Sequence, residues 1–374
     1  MTGTSQTRLV GLDVARCLAL LGMVATHVLD ERTSSGDLTA AQWLAGGRAS
    51  ALFAVLAGVS LALMTREPLR GRPLAARTLA IAGRAFLIGA LGLLLGALDT
   101  GIAIILTYYA VLFVLGLPFT FLRVRWLAPL AVVWVVAAPV VSHLVRPELP
   151  DRGFESPAFD QLGDLPQLAS ELLLTGYYPA LPWLAYLLAG LALGRLDLRD
   201  RSLLGALALG GLGTAVLATQ VSRTLADPAI ASENATGMYG TTPPDGDWSW
   251  LLLAAPHSAT PFDLAQTIGS AVLVIACCLL LERSLRPAGT RVLAVVFGAG
   301  AATLTLYSLH VVMRTDDVWP PEEPSAYLSH VVVLLGLGAA LRLFRLRGPL
   351  EVVAGLPVRL ARRVAPGQRS GTNR

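Results

Sequence analysis

The sequence predicts an all-α fold, a polytopic membrane bundle of about ten transmembrane helices. Of the 374 residues, 54% are hydrophobic and only 14% are charged. The mean hydropathy is +0.62, and apolar runs of membrane length recur along the whole chain. So few polar residues cannot cover a water-soluble globule of this size.

Ten runs are long enough to cross about 30 Å of hydrocarbon, which takes roughly 20 helical residues. They lie near residues 9 to 29, 48 to 65, 78 to 98, 101 to 121, 126 to 145, 180 to 196, 203 to 222, 264 to 282, 291 to 313 and 327 to 344.

Arginines predict how the bundle is oriented. The loops after the even-numbered spans are short and basic, as at Arg66 and Arg199, whereas loops 30 to 46, 146 to 178 and 223 to 263 are long and hold more acidic residues. Basic residues concentrate in cytoplasmic loops. We therefore expect a multi-pass protein of the cell membrane with both termini in the cytoplasm. The same bias explains the pI of 9.2, so a nucleic-acid partner is not expected.

Two domains follow from this reading: a transmembrane domain at residues 1 to 344 and a basic cytoplasmic tail at residues 345 to 374. The three cysteines, Cys17, Cys277 and Cys278, lie inside apolar segments. Their spacing matches neither a disulfide framework nor a metal site. We interpret them as packing residues.

Three charged residues lie inside apolar spans and away from the span ends, where an ionised group is costly and usually functional. Asp13 and Arg16 stand three residues apart, so they share a helix face and can pair. The pair is either an anchor at the inner end of the span or part of a ligand path. Arg84 has no partner at neighbouring positions, so it needs a carboxylate from another helix, a phosphate or a water-filled cavity.

The five histidines, His27, His143, His257, His310 and His330, all fall in the outer half of the predicted topology. A single neutral histidine is satisfied by one backbone carbonyl. Five on one side point instead to proton transfer, the usual role of histidine near neutral pH. A metal site is the weaker explanation, because no two of them have helical ligand spacing.

Five motifs run from one end of the chain to the other. They are Arg8-Leu-Val-Gly-Leu-Asp13-Val-Ala-Arg16-Cys17, Gly47-Arg-Ala-Ser-Ala-Leu-Phe53 with Gly58, Leu181-Pro-Trp183 with Gly194-Arg195, Leu304-Thr-Leu-Tyr307-Ser-Leu-His310 and Arg347-Gly-Pro-Leu-Glu351. Together these motifs resemble those of the YeiB-like bacterial membrane proteins and the related heparan-α-glucosaminide N-acetyltransferases.

The resemblance implies a membrane-embedded acyltransferase that takes an acetyl or acyl group from cytoplasmic acyl-CoA. The acceptor would be a hydroxyl or amine of an extracytoplasmic glycan, glycolipid or small metabolite, with the bilayer itself as a partner. The chain departs from the glucosaminide branch in two places. Loop 30 to 46 lacks the histidine expected after the first span, and Cys17 replaces the family glycine.

Within this hypothesis, His27 or His257 acts as the general base. Arg48 and His310 stabilise the oxyanion and Asp13 belongs to the substrate path. Arg16 and Arg84 hold CoA phosphates, because guanidinium groups match phosphate geometry. No metal is expected, and a homodimer is compatible with the sequence.

Other functions remain open at this stage. Buried charges and outer histidines also fit a proton-coupled transporter or flippase. A catalytically idle relative that binds a lipid or a protein partner is a third reading.

Overall fold

The computed structural model describes residues 8 to 66, 71 to 150, 152 to 153, 156 to 238, 246 to 315, 318, 320 and 323 to 364. The first eight helices are α1 (Val10–Val28), α2 (Ala40–Ala45), α3 (Arg48–Met64), α4 (Gly71–Gly96), α5 (Leu106–Gly116), α6 (Val124–Val145), α7 (Leu165–Ser170) and α8 (Ala180–Arg195). The next eight are α9 (Arg201–Leu225), α10 (Pro228–Glu233), α11 (Pro261–Ser284), α12 (Pro287–Val296), α13 (Thr303–Met313), α14 (Tyr327–Leu343), α15 (Pro349–Ala354) and α16 (Leu356–Val364). No β-strand occurs in these ranges, which confirms the predicted all-α polytopic bundle.

Seven helices in the described ranges are long and apolar enough to cross a membrane. An eighth span results if the pair Leu165–Thr175 and Ala180–Arg195, bent by 49°, is counted as one. Three further apolar helices, Leu106–Phe121, Pro287–Val296 and Thr303–Met313, are shorter. The count of ten spans therefore stays a prediction, whereas the multi-pass architecture is established.

The predicted span near residues 291 to 313 was wrong as a single helix. Helices α12 and α13 are separated by a 3-10 turn, Gly298–Ala301, so the segment is a broken helix. At Gly300 the turn lies so close to α1 that an added Cβ would stand 1.7 Å from the backbone oxygen of Asp13. The sequence Gly-Ala-Gly-Ala is apolar throughout, and hydropathy cannot distinguish such a break from a continuous span.

Burial separates central from peripheral helices. In an apolar stretch of 18 residues within α1, 67% of the residues are buried inside the protein, whereas the corresponding share in α9 is 17%. The peripheral helices instead expose large apolar side chains, such as Phe86 on α4, Val132 on α6 and Leu209 on α9. Such surfaces are compatible with lipid and unfavourable in water.

Small residues bring two of the central helices together. An added Cβ at Gly58 of α3 would stand 2.3 Å from the Leu187 oxygen, and one at Gly190 of α8 would stand 2.0 Å from the Val55 oxygen. Such a close approach of two helix backbones is typical of small-residue packing in membrane bundles.

Two faces of the bundle are named here. We call the face where α1 begins the N-terminal face and the face where α1 ends the histidine face.

The described part of the predicted tail is not a free extension. Helix α15 contacts α13, and α16 packs along α4. Residues 365 to 374 of that tail lie outside the described residues. The C-terminal segment is therefore packed against the bundle as far as it is described.

Candidate functional site

A cationic cavity opens at the N-terminal face. Its volume is about 300 Å³, and four arginines and two aspartates line it. These are Arg8, Arg16, Arg66, Arg199, Asp13 and Asp197. The surplus of positive charge and the fork geometry of guanidinium favour phosphate-bearing ligands here.

Asp13 organises the inner wall of this cavity. Its carboxylate is 5% exposed and accepts hydrogen bonds from Arg8 Nε at 2.6 Å and Arg16 Nη1 at 2.8 Å. The predicted pairing of Asp13 with Arg16 is confirmed. Arg16 also donates to Ser60 Oγ on α3 at 2.8 Å, so its guanidinium is held between two helices. Because a buried carboxylate needs such partners, the pair is fixed in position.

A second cavity lies deeper in the bundle and shares Arg16 with the first. Its volume is about 160 Å³, and its lining is mostly apolar, with residues from α1, α3, α4, α5 and α13. The polar groups on its wall include Arg84, Tyr109 and Tyr307. Arg16 therefore lies between the two cavities and lines both of them.

Arg84 meets the requirement for a partner predicted from the sequence. It lines the central cavity and lies within electrostatic range of Glu351. The Glu351 carboxylate accepts hydrogen bonds from Leu304 N at 2.7 Å and from Thr305 Oγ1 at 2.6 Å, so it caps the first turn of α13. The carboxylate thus comes from α15, from within a motif whose role the sequence alone did not reveal.

Three of the five histidines meet at the histidine face. His27 Nδ1 lies 3.1 Å from His310 Nε2, and His310 Nδ1 lies 3.2 Å from His330 Nδ1. His310 and His330 are 0% and 1% exposed. The predicted clustering is therefore real for these three. His330 had no individual role in the sequence-based assignment, because its partner on α13 lies 20 residues earlier.

The central cavity reaches towards this cluster. Met23 and Tyr307 both line it, and His27 and His310 follow them by four and three residues. Residues at these spacings share a helix face. The His27–His310 pair therefore lies one helical turn beyond the cavity, on the faces of α1 and α13 that line it.

His257 reaches the same face from the loop before α11. Its φ is 60°, a left-handed conformation that costs a non-glycine residue about 1–3 kcal/mol. The ring packs edge-on against Tyr178, with centroids 5.5 Å apart, and lies within electrostatic range of His27. Burial in these surroundings lowers the pKa of His257 to about 4, so its imidazole is neutral near pH 7.

The loop that holds His257 is tied to a buried acid that the sequence analysis missed. Asp263 is 2% exposed, and its Oδ2 accepts the backbone N–H of Ala259 at 3.0 Å. Ala259 is itself left-handed, with φ 53°. Since Asp263 follows the N-cap Thr260 by three residues, from sequence it resembles an ordinary first-turn acid of a helix.

Arg48 faces a different cavity, of about 360 Å³, next to the exposed Trp43. Its Nη1 donates to the Trp43 backbone oxygen at 2.7 Å. In the amide orientation that satisfies both groups, Gln266 Oε1 accepts from Arg48 Nε at 2.9 Å. The oxyanion role of Arg48 stays a prediction, and its neighbour Gly47 packs against Pro256 and His257.

His143 lies apart from the cluster and contacts Trp248 and the Gly246 oxygen.

The other predicted site residues fall into three places along the bundle. Asp13 and Arg16 lie at the N-terminal face, Arg84 at the central cavity, and His27, His257 and His310 at the histidine face. Their catalytic roles stay predictions.

The fold and these cavities define a class of protein: a polytopic membrane bundle with ionisable groups arranged from one face to the other. A protein-family model described as heparan-alpha-glucosaminide N-acetyltransferase, catalytic, matches residues 8 to 218, more than half of the chain. The chain belongs to this family, whose description is that of an acetyltransferase. This confirms the resemblance to the glucosaminide acetyltransferases seen in the sequence motifs.

The matched region contains Asp13, Arg16, His27, Arg48 and Arg84. His257, His310 and His330 lie beyond it. No protein of curated function matches the chain.

Proposed function

We propose that this chain transfers an acetyl group from acetyl-CoA, bound at the N-terminal face, to a hydroxyl or amine acceptor at the histidine face. The observation that carries the proposal is the shared position of Arg16, which borders both the cationic cavity and the central cavity. The central cavity in turn stops one helical turn below His27 and His310. In this proposal the N-terminal face is cytoplasmic, as the arginine distribution predicts.

The cationic cavity suits the donor. CoA carries phosphates at one end and a flexible, largely uncharged arm that ends in the thioester at the other. Arg66 and Arg199 at the cavity border would hold the phosphates, while the arm passes Arg16 into the central cavity. There Arg84 and Tyr307 would contact the thioester end of the arm rather than its phosphates. This differs from the sequence-based assignment of Arg84 to phosphate binding.

His27 is the base that this arrangement favours, with His257 as the second candidate. The acceptor oxygen or nitrogen attacks the thioester carbonyl carbon while imidazole takes its proton, and the C–S bond breaks as CoA leaves as a thiolate. The thiolate then takes a proton from water. A base in this position contributes about 10²- to 10⁴-fold to the rate.

The acceptor would arrive from the outer water or from the outer leaflet. A glycan, a glycolipid and a lipid-linked sugar all offer suitable hydroxyls or amines. The cavity beside Arg48 and Arg223 opens next to Trp43, which is 60% exposed. Exposed tryptophan is typical of the membrane–water interface, which favours a lipid-linked acceptor at this position.

The test is acetyl-CoA binding and turnover by the purified full-length protein. Arg66→Gln is expected to raise the Kd for acetyl-CoA by about 10-fold or more, since a hydrogen bond to a charged group contributes about 1.5–3 kcal/mol. Arg125→Gln is the matched control, because Arg125 is exposed and stacks on Trp126 outside both cavities.

Turnover is measured with radiolabelled acetyl-CoA and an acceptor panel that includes an α-glucosaminide. Folded protein that neither binds acetyl-CoA nor acetylates any acceptor would refute the proposal. Counterflow of a solute across vesicles without CoA would favour a transporter instead.

A further inference from the structure

The three histidines at the end of the path form a connected chain. His27 and His310 have nearly parallel ring planes, 7° apart, and centroids 5.3 Å apart. The centroid distance exceeds the 3.1 Å nitrogen distance by about one ring width, so the rings meet edge to edge. This is the geometry of a direct N–H···N hydrogen bond. His330 meets the other edge of His310, at 3.2 Å and with the rings at 75°.

The number of protons on neutral imidazoles allows two arrangements of the hydrogen bonds between the three histidines. A neutral imidazole carries one N–H and one lone pair, and His310 has a histidine nitrogen on each side. His310 therefore donates to one neighbour and accepts from the other. If His27 Nδ1–H donates to His310 and His310 Nδ1–H donates to His330, then the lone pair of His27 is on Nε2. Only this direction leaves His27 able to act as a base.

We propose that His310 and His330 relay to the end of the chain the proton that His27 removes from the acceptor. This inference rests on the proposed function, because it takes His27 as the base. The acceptor proton binds His27 Nε2, the proton on His27 Nδ1 moves to His310 Nε2, and the proton on His310 Nδ1 moves to His330 Nδ1. His27 and His310 are neutral again afterwards, and the positive charge is two rings from the reacting atoms.

The relay moves the positive charge away from the reacting atoms. A positive charge left on His27 would lie next to the acceptor product in a low-dielectric site. Moved to His330, which is itself 1% exposed, it is separated from the product by two rings. Among the described residues, the other charged or titratable groups facing the three histidines are Arg314, whose positive charge opposes protonation of all three rings, and His257, within electrostatic range of His27.

The arrangement does not suit a metal. Metal ligands direct their lone pairs at one point, whereas these ring nitrogens face each other in pairs. Across the described ranges, no group of three histidine, cysteine or acidic side chains has the geometry of a metal site. Proton transfer is the chemistry that these contacts support.

The first test replaces the last residue of the relay. Glutamine in His330→Gln keeps a hydrogen-bonding side chain but cannot carry the proton. We expect acetyl transfer from acetyl-CoA to a nitrophenyl α-glucosaminide, or to whichever panel acceptor the wild type uses, to fall about 10- to 100-fold. The Kd for acetyl-CoA should stay within twofold of wild type. His143→Gln is the matched control, since His143 lies outside the cluster, and it should retain wild-type turnover.

A solvent isotope measurement separates a relay from a structural role. When several protons move together, the rate plotted against the deuterium fraction of the solvent is curved. We expect a curved plot for the wild type and a straight line for His330→Gln. Wild-type turnover in His330→Gln, or the same curvature in both proteins, would overturn the proposal.

A second measurement does not depend on turnover. With five histidines in the chain, ¹⁵N-histidine labelling gives a simple nitrogen spectrum of the protein in bilayers. The relay predicts ¹⁵N–¹⁵N couplings through hydrogen bonds from His310 to both His27 and His330. Their absence would overturn the relay, even if His330→Gln fails to fold. If the couplings are present in a protein that transfers no acetyl group, the three histidines are hydrogen-bonded as described but the proposed function is rejected.

Discussion

Replacing Gly300 by alanine is expected to displace the broken helix from α1. An added Cβ would stand 1.7 Å from the Asp13 oxygen and 2.6 Å from its carbonyl carbon. Favourable carbon contacts need about 3.5 Å, so the turn and α1 would have to separate by roughly 1.5–2 Å. Both neighbouring atoms belong to the backbone, and rotation of a side chain cannot relieve the clash.

The magnitude follows from overpacking and from the position of Asp13. Forcing one extra carbon into a packed interior costs about 1–3 kcal/mol. Asp13 holds Arg16 at 2.8 Å, so moving its backbone moves the side chain between the two cavities. A misplacement of about 1 Å in a catalytic assembly reduces the rate by about 10²-fold.

The assay compares thermal unfolding and acetyl transfer of Gly300→Ala with those of Gly336→Ala. Gly336 lies on α14 with no atom within 4 Å of an added Cβ, so alanine there should be neutral or slightly stabilising. We expect Gly300→Ala to unfold at lower temperature and to lose about 10²-fold in turnover. If both variants match the wild type, the close packing of the turn on Asp13 is refuted.

Further predictions concern the charged groups and the neutral histidine. Asp13→Asn should lower stability by about 1.5–3 kcal/mol, the contribution of a hydrogen bond to a charged group, because it leaves Arg16 without its counter-charge; denaturant titration that shows a loss below about 0.5 kcal/mol would contradict the pairing. Glu351→Gln and Arg84→Gln should each destabilise the protein, and the double variant should lose less than the sum of the two, as thermal unfolding of all four proteins would show. Additive losses would mean that the two side chains do not interact. If His257 is the base, its pKa of about 4 places the acid limb of kcat/KM near pH 4, with a flat profile from about pH 5 to 8, because protonation removes the base only below that pKa. An acid limb near pH 6.5 would exclude His257 in this environment.

Helix positions were largely predictable, because each span must satisfy its own backbone in hydrocarbon and therefore needs a long apolar run. The prediction was wrong where backbone geometry changes without a change in hydropathy, as in the turn Gly298–Ala301. It was also incomplete at α5, which begins at Leu106 rather than near residue 101. A local pattern marks an apolar segment, but it does not mark where the helix within that segment is broken.

The candidate site was predictable only in part. Asp13 and Arg16 could be paired from sequence because a three-residue spacing places them on one helix face. The distant segments that contact Arg84 and Asp13 could not be predicted from sequence. Glu351, beside Arg84, comes from α15, and the turn at Gly300, which packs on Asp13, comes from 287 residues later in the chain. Asp263 also went unnoticed, since a first-turn acid after a threonine N-cap has an ordinary structural explanation.

The sequence by itself determined that this chain is a membrane-embedded helix bundle of the glucosaminide acetyltransferase family, with ionisable groups that need partners. These conclusions depend on composition, local spacing and motifs, which are properties of neighbouring residues. Only the tertiary structure decided which groups meet. It joined His27 to His310 across 283 residues and brought Glu351 to the start of α13. The physical reason is that hydrocarbon forces each helix to form locally, whereas buried polar side chains find their hydrogen-bond partners only when the helices pack.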